Sequence, residues 1–208
     1  MFEEKGYIQF LCDWEPAPPP TGPMFDELRA WRDRLFELNL IGVYPNGIGY
    51  GNLSCHPRSD ESFVITGTAT GKLPKLGSEH LTEVIAHDAD RNWLRCRGPI
   101  QASSESLSHA AVYANDSSIR AVVHIHHLEM WQALYDKVPT TNPNAEAGTP
   151  AMADAIEDLF RAGPVRKSGL FVMGGHREGL MTFGASVAEA GERLLAALKD
   201  FERGQYTT

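Results

Sequence analysis

His124-Ile125-His126 closes an apolar run, Ala121-Val122-Val123, that reads as a short buried β-strand. Side chains alternate faces along a strand, so the two imidazoles point the same way, about 7 Å apart at the backbone. Two imidazoles side by side are the start of a zinc site. A catalytic zinc takes at least a third protein ligand and keeps one position open. Groups of suitable chemistry stand on either side of the pair. Glu105 precedes it in Ser103-Ser104-Glu105, and His176 follows it in Gly174-Gly175-His176. The two glycines let the backbone turn sharply or come close to a ligand. The apolar run Leu170–Met173 delivers His176 from the core.

The same residues have a plainer reading. A lone histidine on an apolar strand is usually a hydrogen-bonded core residue, and short motifs arise by chance. On spacing alone both readings stand. The remaining histidines are given structural roles. His127 faces away from the pair and caps the next helix, His56 and His80 lie at the surface, and His109 makes a hydrogen bond from a helix.

A second group of residues has the chemistry of an anion site. Gly51-Asn52-Leu53-Ser54, Thr66-Gly67 and Ser103-Ser104 combine amide and hydroxyl donors with glycine backbone, which can hold a phosphate without fixed positive charge. Turn chemistry alone also accounts for Gly51-Asn52 and Thr66-Gly67. Glu105 beside a zinc ion could move a proton that the metal has acidified. As an acid at a helix N-terminus it would also complement the dipole, and the two roles are compatible.

These residues need elements to hold them. Phe25, Leu28, Trp31, Leu35 and Leu38 recur at helical spacing after Pro23. Ser62–Thr66 reads as a strand, and Leu81–Asp88 with Asn92–Arg95 as a hairpin. Ser104–Asn115 reads as a helix leading into the histidine strand. A further helix starts near Leu128 and ends before Pro139. Thr149-Pro150 caps and opens another. Leu170–Met173 and Leu180–Phe183 flank His176. Ser186-Val187-Ala188-Glu189 is a capping box that opens a last helix. Before all of these, five prolines between Pro16 and Pro23 predict an extended arm. Residues 1–14 would form an extension tethered by Phe10, Leu11 and Trp14. Residues 1–23 are thus read as extension and arm, and 24–208 as one α/β domain.

The bulk numbers agree with one globular domain: 208 residues, 42% hydrophobic and 22% charged. The net charge of −8 disfavours non-specific nucleic-acid binding. Three scattered cysteines, Cys12, Cys55 and Cys96, do not form a disulfide framework and read as reduced thiols. No signal peptide or membrane-length apolar stretch is visible, so the expected location is the cytoplasm and no membrane partner is expected.

Five blocks in order make the chain resemble the class II aldolase/adducin family over roughly Leu28–Leu198: Gly51-Asn52-Leu53-Ser54, Thr66-Gly67, Ser103-Ser104-Glu105 with His109, Val123-His124-Ile125-His126, and Gly175-His176 with Gly184. The resemblance implies a single domain with a central, mostly antiparallel sheet flanked by helices in three layers. It implies that His124, His126 and His176 hold zinc or another divalent ion, with Glu105 as general acid/base. It implies that Gly51, Asn52, Thr66, Gly67, Ser103 and Ser104 cradle the phosphate of a small sugar phosphate. The implied reaction is retro-aldol cleavage of a ketose phosphate through a metal-stabilised enediolate, in a homotetramer. Epimerase, dehydratase and decarboxylase reactions on the same metal, and a non-catalytic adducin-like module, are the alternatives within this resemblance. Glutamate rather than aspartate at position 105 favours an aldolase or a related sugar-phosphate lyase, such as a dehydratase, over the epimerase. The chain also differs from the family pattern. Arg177-Glu178 follows His176 where glycine is common, Gly175 replaces a common asparagine, and no tyrosine matches the family's proton donor. Tyr135 and Tyr206 are available for that role.

Overall fold

A computed structural model describes residues 10–57 and 61–206. In chain order the elements are β1 (Leu11–Pro16), α1 (Pro23–Glu37), β2 (Gly42–Val43), β3 (Gly49–Tyr50), β4 (Asn52–Cys55), β5 (Phe63–Thr66), β6 (Leu81–Asp88) and β7 (Trp93–Gly98). Then follow α2 (Ser106–Asn115), β8 (Ala121–His126), α3 (Leu128–Leu134), α4 (Pro150–Ala162), α5 (Pro164–Ser168), β9 (Leu170–Val172), β10 (Gly179–Gly184) and α6 (Val187–Glu202).

Eight strands form one sheet in the order β1-β7-β6-β5-β4-β8-β10-β9. Every pairing in it is antiparallel except β1 with β7. β2 and β3 make a separate two-stranded ribbon. β8 lies inside the sheet between β4 and β10, and all six of its residues are buried. That is why it reads as a continuous apolar run interrupted only by histidines.

Alternation along the strands builds two cores, one on each face. Val122, Ile65, Met181 and Phe183 pack with Leu107, Met152 and Ile156 from α2 and α4. Val123, Ile125, Leu53 and Leu180 pack with Leu28 and Leu35 from α1, Met130 from α3 and Leu194 from α6. Full burial of each such side chain contributes about 1.5–3 kcal/mol. The result is helices, sheet, helices: the three-layer α/β arrangement expected. His124 and His126 share the α2/α4 face with Val122, because positions two apart on a strand look the same way.

Caps place the helices as their sequences require. The Thr149 hydroxyl accepts from Met152 N–H, and Ser186 Oγ accepts from Glu189 N–H at 3.0 Å. The return half of that second cap is shifted by one residue: Glu189 accepts from Ala185 N–H at 2.8 Å. The His127 ring accepts from Met130 N–H and caps α3, as predicted. Arg32 of α1 is buried, and its guanidinium donates to the carbonyls of Thr70 and Leu73. That ties the 70–73 segment to α1, and Gly71 in that segment packs against Gly42 and Gly49 of the β2–β3 ribbon.

The N-terminal region departs from expectation. Leu11–Pro16, read as extension and start of the proline arm, is β1 and widens the sheet by parallel pairing with β7. Pro16 can end an edge strand, where its missing N–H breaks no ladder. The Trp14 indole donates to Gly98 O at 2.9 Å and secures the strand's end. Only residues 17–22 remain an arm without regular structure; residues 1–9 lie outside the described residues. The helix expected from Ser104 begins at Ser106, because Ser103–Glu105 forms a turn closed by Ser106 N–H to Ser103 O at 3.1 Å. The three cysteines are free thiols, and burial pushes Cys55 up to about 12.

Candidate active site

Cross-strand register assembles the site at one end of β8. Asn52 of β4 and Met181 of β10 stand opposite His124, and Gly179 stands opposite His126. β4 stops at Asn52, so His126 takes its backbone bond from outside the sheet, donating to Leu40 O at 3.0 Å. The chain then leaves β9 through a tight turn and returns with His176. Gly174 and Gly175 serve that turn by approaching other backbone, the carbonyls of Thr141 and Ala145. A Cβ on either glycine would sit within 2.2 Å of those oxygens. Gly179 does the corresponding service for the rings: a Cβ there would lie 2.5 Å from His176 Cδ2 and 3.2 Å from His124 Cε1.

Three Nε2 atoms converge. His126 Nε2 is 3.1 Å from His124 Nε2 and 2.8 Å from His176 Nε2. One ligand atom from each of the three residues lies within 4.8 Å of the others. The hydrogen bonds on the far side of two rings fix where their protons are. His124 Nδ1 faces Leu180 O at 3.1 Å, and a carbonyl can only accept, so Nδ1 carries the hydrogen. His126 Nδ1 faces the Tyr44 hydroxyl at 2.7 Å, and that hydroxyl donates to Glu178 Oε2 at 2.6 Å. The phenol has one proton and gives it to the carboxylate, so His126 Nδ1 is the donor to Tyr44. His124 and His126 therefore aim bare Nε2 lone pairs at one point. Burial holds both rings neutral: it pushes His124 down to about 3 and His126 well below the ordinary histidine value, and the neighbouring histidines push His126 the same way. Neutral imidazoles with converging lone pairs and second-nitrogen hydrogen bonds are the donor set of a borderline divalent ion. The residues present fit a zinc-like ion.

Glu105 stands beside the cluster. Its Oε1 is 3.9 Å from His176 Nε2, and Ser108 donates to its Oε2 at 3.4 Å. It occupies the N-cap position of α2, so the dipole role and the site role coincide. The phosphate candidates divide. Asn52 Nδ2 donates to Ser103 Oγ at 3.2 Å, and that oxygen also accepts from Glu105 N–H at 3.3 Å. Gly67 bridges to Ala102, next to Ser103, and Gly51 directly precedes Asn52. Ser104 is exposed at the same turn. Thr66 is buried, and its hydroxyl accepts from Leu53 N–H at 3.3 Å, which links β5 to β4. Asn52 Oδ1 is buried without a hydrogen-bond partner among the described residues.

Sequence reasoning passed over the β2–β3 ribbon. Tyr50 stacks on His126 with centroids 5.4 Å apart, and Tyr44 lies against Tyr50 at 4.6 Å. Burial, and then the Glu178 charge, raise the Tyr50 phenol above its ordinary value. The signal was present as two tyrosines inside the glycine-rich stretch, six residues apart. The tyrosines that were considered have other surroundings. Tyr135 packs edge-on against Trp131 at 4.8 Å, and Tyr206 packs on the core of the opposite face. His109 has the structural role expected: its Nδ1 is 2.7 Å from Ser54 Oγ.

Comparison with known proteins adds to this geometry. Residues 46–131 match the Class II Aldolase and Adducin N-terminal domain, a span that contains Asn52, Glu105, His124 and His126. No curated protein sequence matches the chain. L-fuculose 1-phosphate aldolase superposes with a TM-score of 0.66 at 17% identity, covering 91% of this chain and 90% of its own. YgbL from Klebsiella pneumoniae, a candidate aldolase/epimerase/decarboxylase, gives 0.64 at 20% identity, covering 87% and 89%. A sugar-phosphate aldolase from Thermotoga maritima gives 0.59 at 15% identity, covering 88% and 98%. Likeness at these identities is likeness of fold.

Proposed function

We propose that this chain, whose residues 46–131 match the Class II Aldolase and Adducin N-terminal domain, is a divalent-metal-dependent lyase of that family cleaving a ketose phosphate by retro-aldol chemistry. The observation that carries this reading is the Glu105 carboxylate, 3.9 Å from Nε2 of His176 in a cluster of three converging histidines. His124, His126 and His176 would hold the ion. When bound, it supplies Lewis acidity toward the carbonyl and adjacent hydroxyl of the substrate.

The chain's own residues supply the rest. In the cleavage direction Glu105 would accept the proton lost by the hydroxyl that becomes the aldehyde and deliver it to the carbon freed when the C–C bond breaks, from its place at the N-terminus of α2 beside the histidines. Asn52, Ser103, Ser104, Gly51 and Gly67 orient the phosphate, and Thr66 holds β5 to β4 behind them. Anchoring that end fixes the scissile bond against Glu105 and turns binding energy into alignment. Zinc as the ion, a homotetramer and a cytoplasmic location complete the reading, each supported by the family resemblance. Among the described residues no helix is long and apolar enough to cross a membrane.

The test is turnover of purified, zinc-loaded protein on a panel of pentulose and hexulose phosphates. Release of dihydroxyacetone phosphate and an aldehyde is expected. Epimers or dehydrated products without cleavage would overturn the lyase reading and keep the metal; absence of bound metal would overturn both.

A further inference from the structure

Glu178 sits directly before β10. It is the third residue of the turn closed by Gly179 N–H to His176 O at 2.9 Å. Its φ is +73°, in the left-handed region that glycine enters freely and a glutamate does not. The backbone therefore has a better residue available, and the side chain must account for the glutamate. That side chain accepts the Tyr44 proton at 2.6 Å, and Tyr44 in turn accepts from His126 Nδ1 at 2.7 Å. With the phenol proton committed to the carboxylate, the phenol oxygen can meet His126 only as an acceptor. The ring is held in one tautomer and one orientation, with Nε2 free to face His124 and His176.

We infer that Glu178 and Tyr44 form a positioning relay that locks His126 in its Nδ1–H tautomer and thereby sets the affinity of the three-histidine cluster for a divalent ion. The inference rests on the metal-centre reading above. Direction matters in this relay. Without Glu178 the Tyr44 hydroxyl is free to donate to His126 Nδ1, which drives the proton to Nε2, the atom that must face the ion. Without Tyr44 the His126 Nδ1–H loses its acceptor. Both changes act on the same ring, so their effects should not add. The alternative is a merely structural tie between the β2–β3 ribbon and the β9–β10 turn.

The experiment uses full-length, metal-free wild-type protein and the variants Y44F, E178A, Y44F/E178A, E178G and H126A. Zinc affinity is read by competition with a chromogenic chelator. The His126 tautomer is read in the metal-free proteins from long-range 1H–15N spectra. Loss of an outer partner of a metal histidine costs about 10–100-fold in affinity, and that loss is expected for Y44F and E178A alike. The double variant should bind no more weakly than Y44F alone. E178G should lose zinc affinity while its melting temperature holds or rises, which separates the relay from a folding defect. The wild-type spectrum should show His126 protonated at Nδ1, and E178A should shift it toward Nε2. Zinc binding within twofold of wild type in Y44F and E178A, with H126A unable to bind, overturns the relay and leaves the metal centre standing. A wild-type protein that binds no zinc overturns the metal centre and the relay together.

Discussion

His124 and His126 turn their Nε2 atoms toward each other at 3.1 Å although each has its ring proton committed to a partner on the far side. Two lone pairs at that separation repel, and burial of both rings weakens the dielectric screening between them. A shared cation converts the repulsion into coordination, and His176 at 2.8 Å from His126 supplies the third donor. The contact therefore gives an energetic reason why a cation would be favoured at this end of β8.

Zinc should stabilise the fold. An ion that binds only the native state at a hundred times its dissociation constant adds about 2.7 kcal/mol. For a chain of this size that corresponds to a rise of about 5–11 °C in melting temperature. H126A should abolish the rise while the fold persists, and a chelator should reverse it in the wild type. Thermal scans with and without zinc check this, together with elemental analysis of the purified proteins.

Glu105 should matter to the reaction and not to the metal. The E105Q variant keeps the shape at the α2 N-cap and removes the base. Zinc content should be unchanged, and kcat should fall about 10²–10⁴-fold, the usual worth of a positioned proton-transfer group. Unchanged turnover in a zinc-replete E105Q protein would remove Glu105 from the mechanism.

Asn52 should recognise the charged end of the substrate. Its Nδ2 donates to Ser103 Oγ at 3.2 Å in a buried contact two residues from Glu105. In N52D a carboxylate replaces the amide with little change of shape and repels a phosphate. KM for a phosphorylated ketose should rise at least about tenfold, equivalent to about 1.4 kcal/mol. An unphosphorylated analogue, which is bound poorly by both proteins, should not distinguish N52D from wild type. Equal KM values for the phosphorylated substrate would move the phosphate elsewhere.

What the sequence disclosed follows from the range of each interaction. The pairing of His124 with His126 was legible because strand alternation is local. The capping roles of His127, Thr149 and Ser186 were legible because a cap reaches only three residues. His176 could be nominated from its glycines, and of the two purposes open to them the structure shows the sharp turn, with room made for the backbone at Thr141 and Ala145. The parts played by Tyr44, Tyr50 and Glu178 were not legible, although Glu178 stood out after His176, because sequence separations of 82 and 134 residues divide Tyr44 from its partners His126 and Glu178. Only the packed β2–β3 ribbon closes those distances. β1 was hidden for a different reason. The prolines from Pro16 onward signal an extended chain, and an edge strand paired on one side looks the same as a free arm until β7 is placed beside it.

His109 provides a pH dependence that separates folding from catalysis. Its ring is fully buried, and burial pushes it down to about 3. Nδ1 is satisfied by Ser54 Oγ at 2.7 Å, whereas Nε2 has no hydrogen-bond partner among the described residues. Protonation would thus put a charge and an unpaired N–H into the α2 side of the core. In the unfolded chain the ring takes up its proton near pH 6.5. Between that value and about 3 the unfolded state binds a proton that the native state refuses. The stability that His109 permits is therefore fully present above about pH 6.5 and declines as pH falls through that window. The limiting slope is about 1.4 kcal/mol per pH unit for one such group. His124 and His126, also held neutral by burial, tilt the metal-free protein in the same direction. An H109Q variant removes one of these groups and should flatten the decline by up to that slope, even if it starts from a lower stability at pH 8. Urea unfolding of metal-free wild-type and variant protein from pH 8 to pH 4 measures the difference. Parallel curves would mean that the His109 ring accepts its proton in the folded protein as readily as in water.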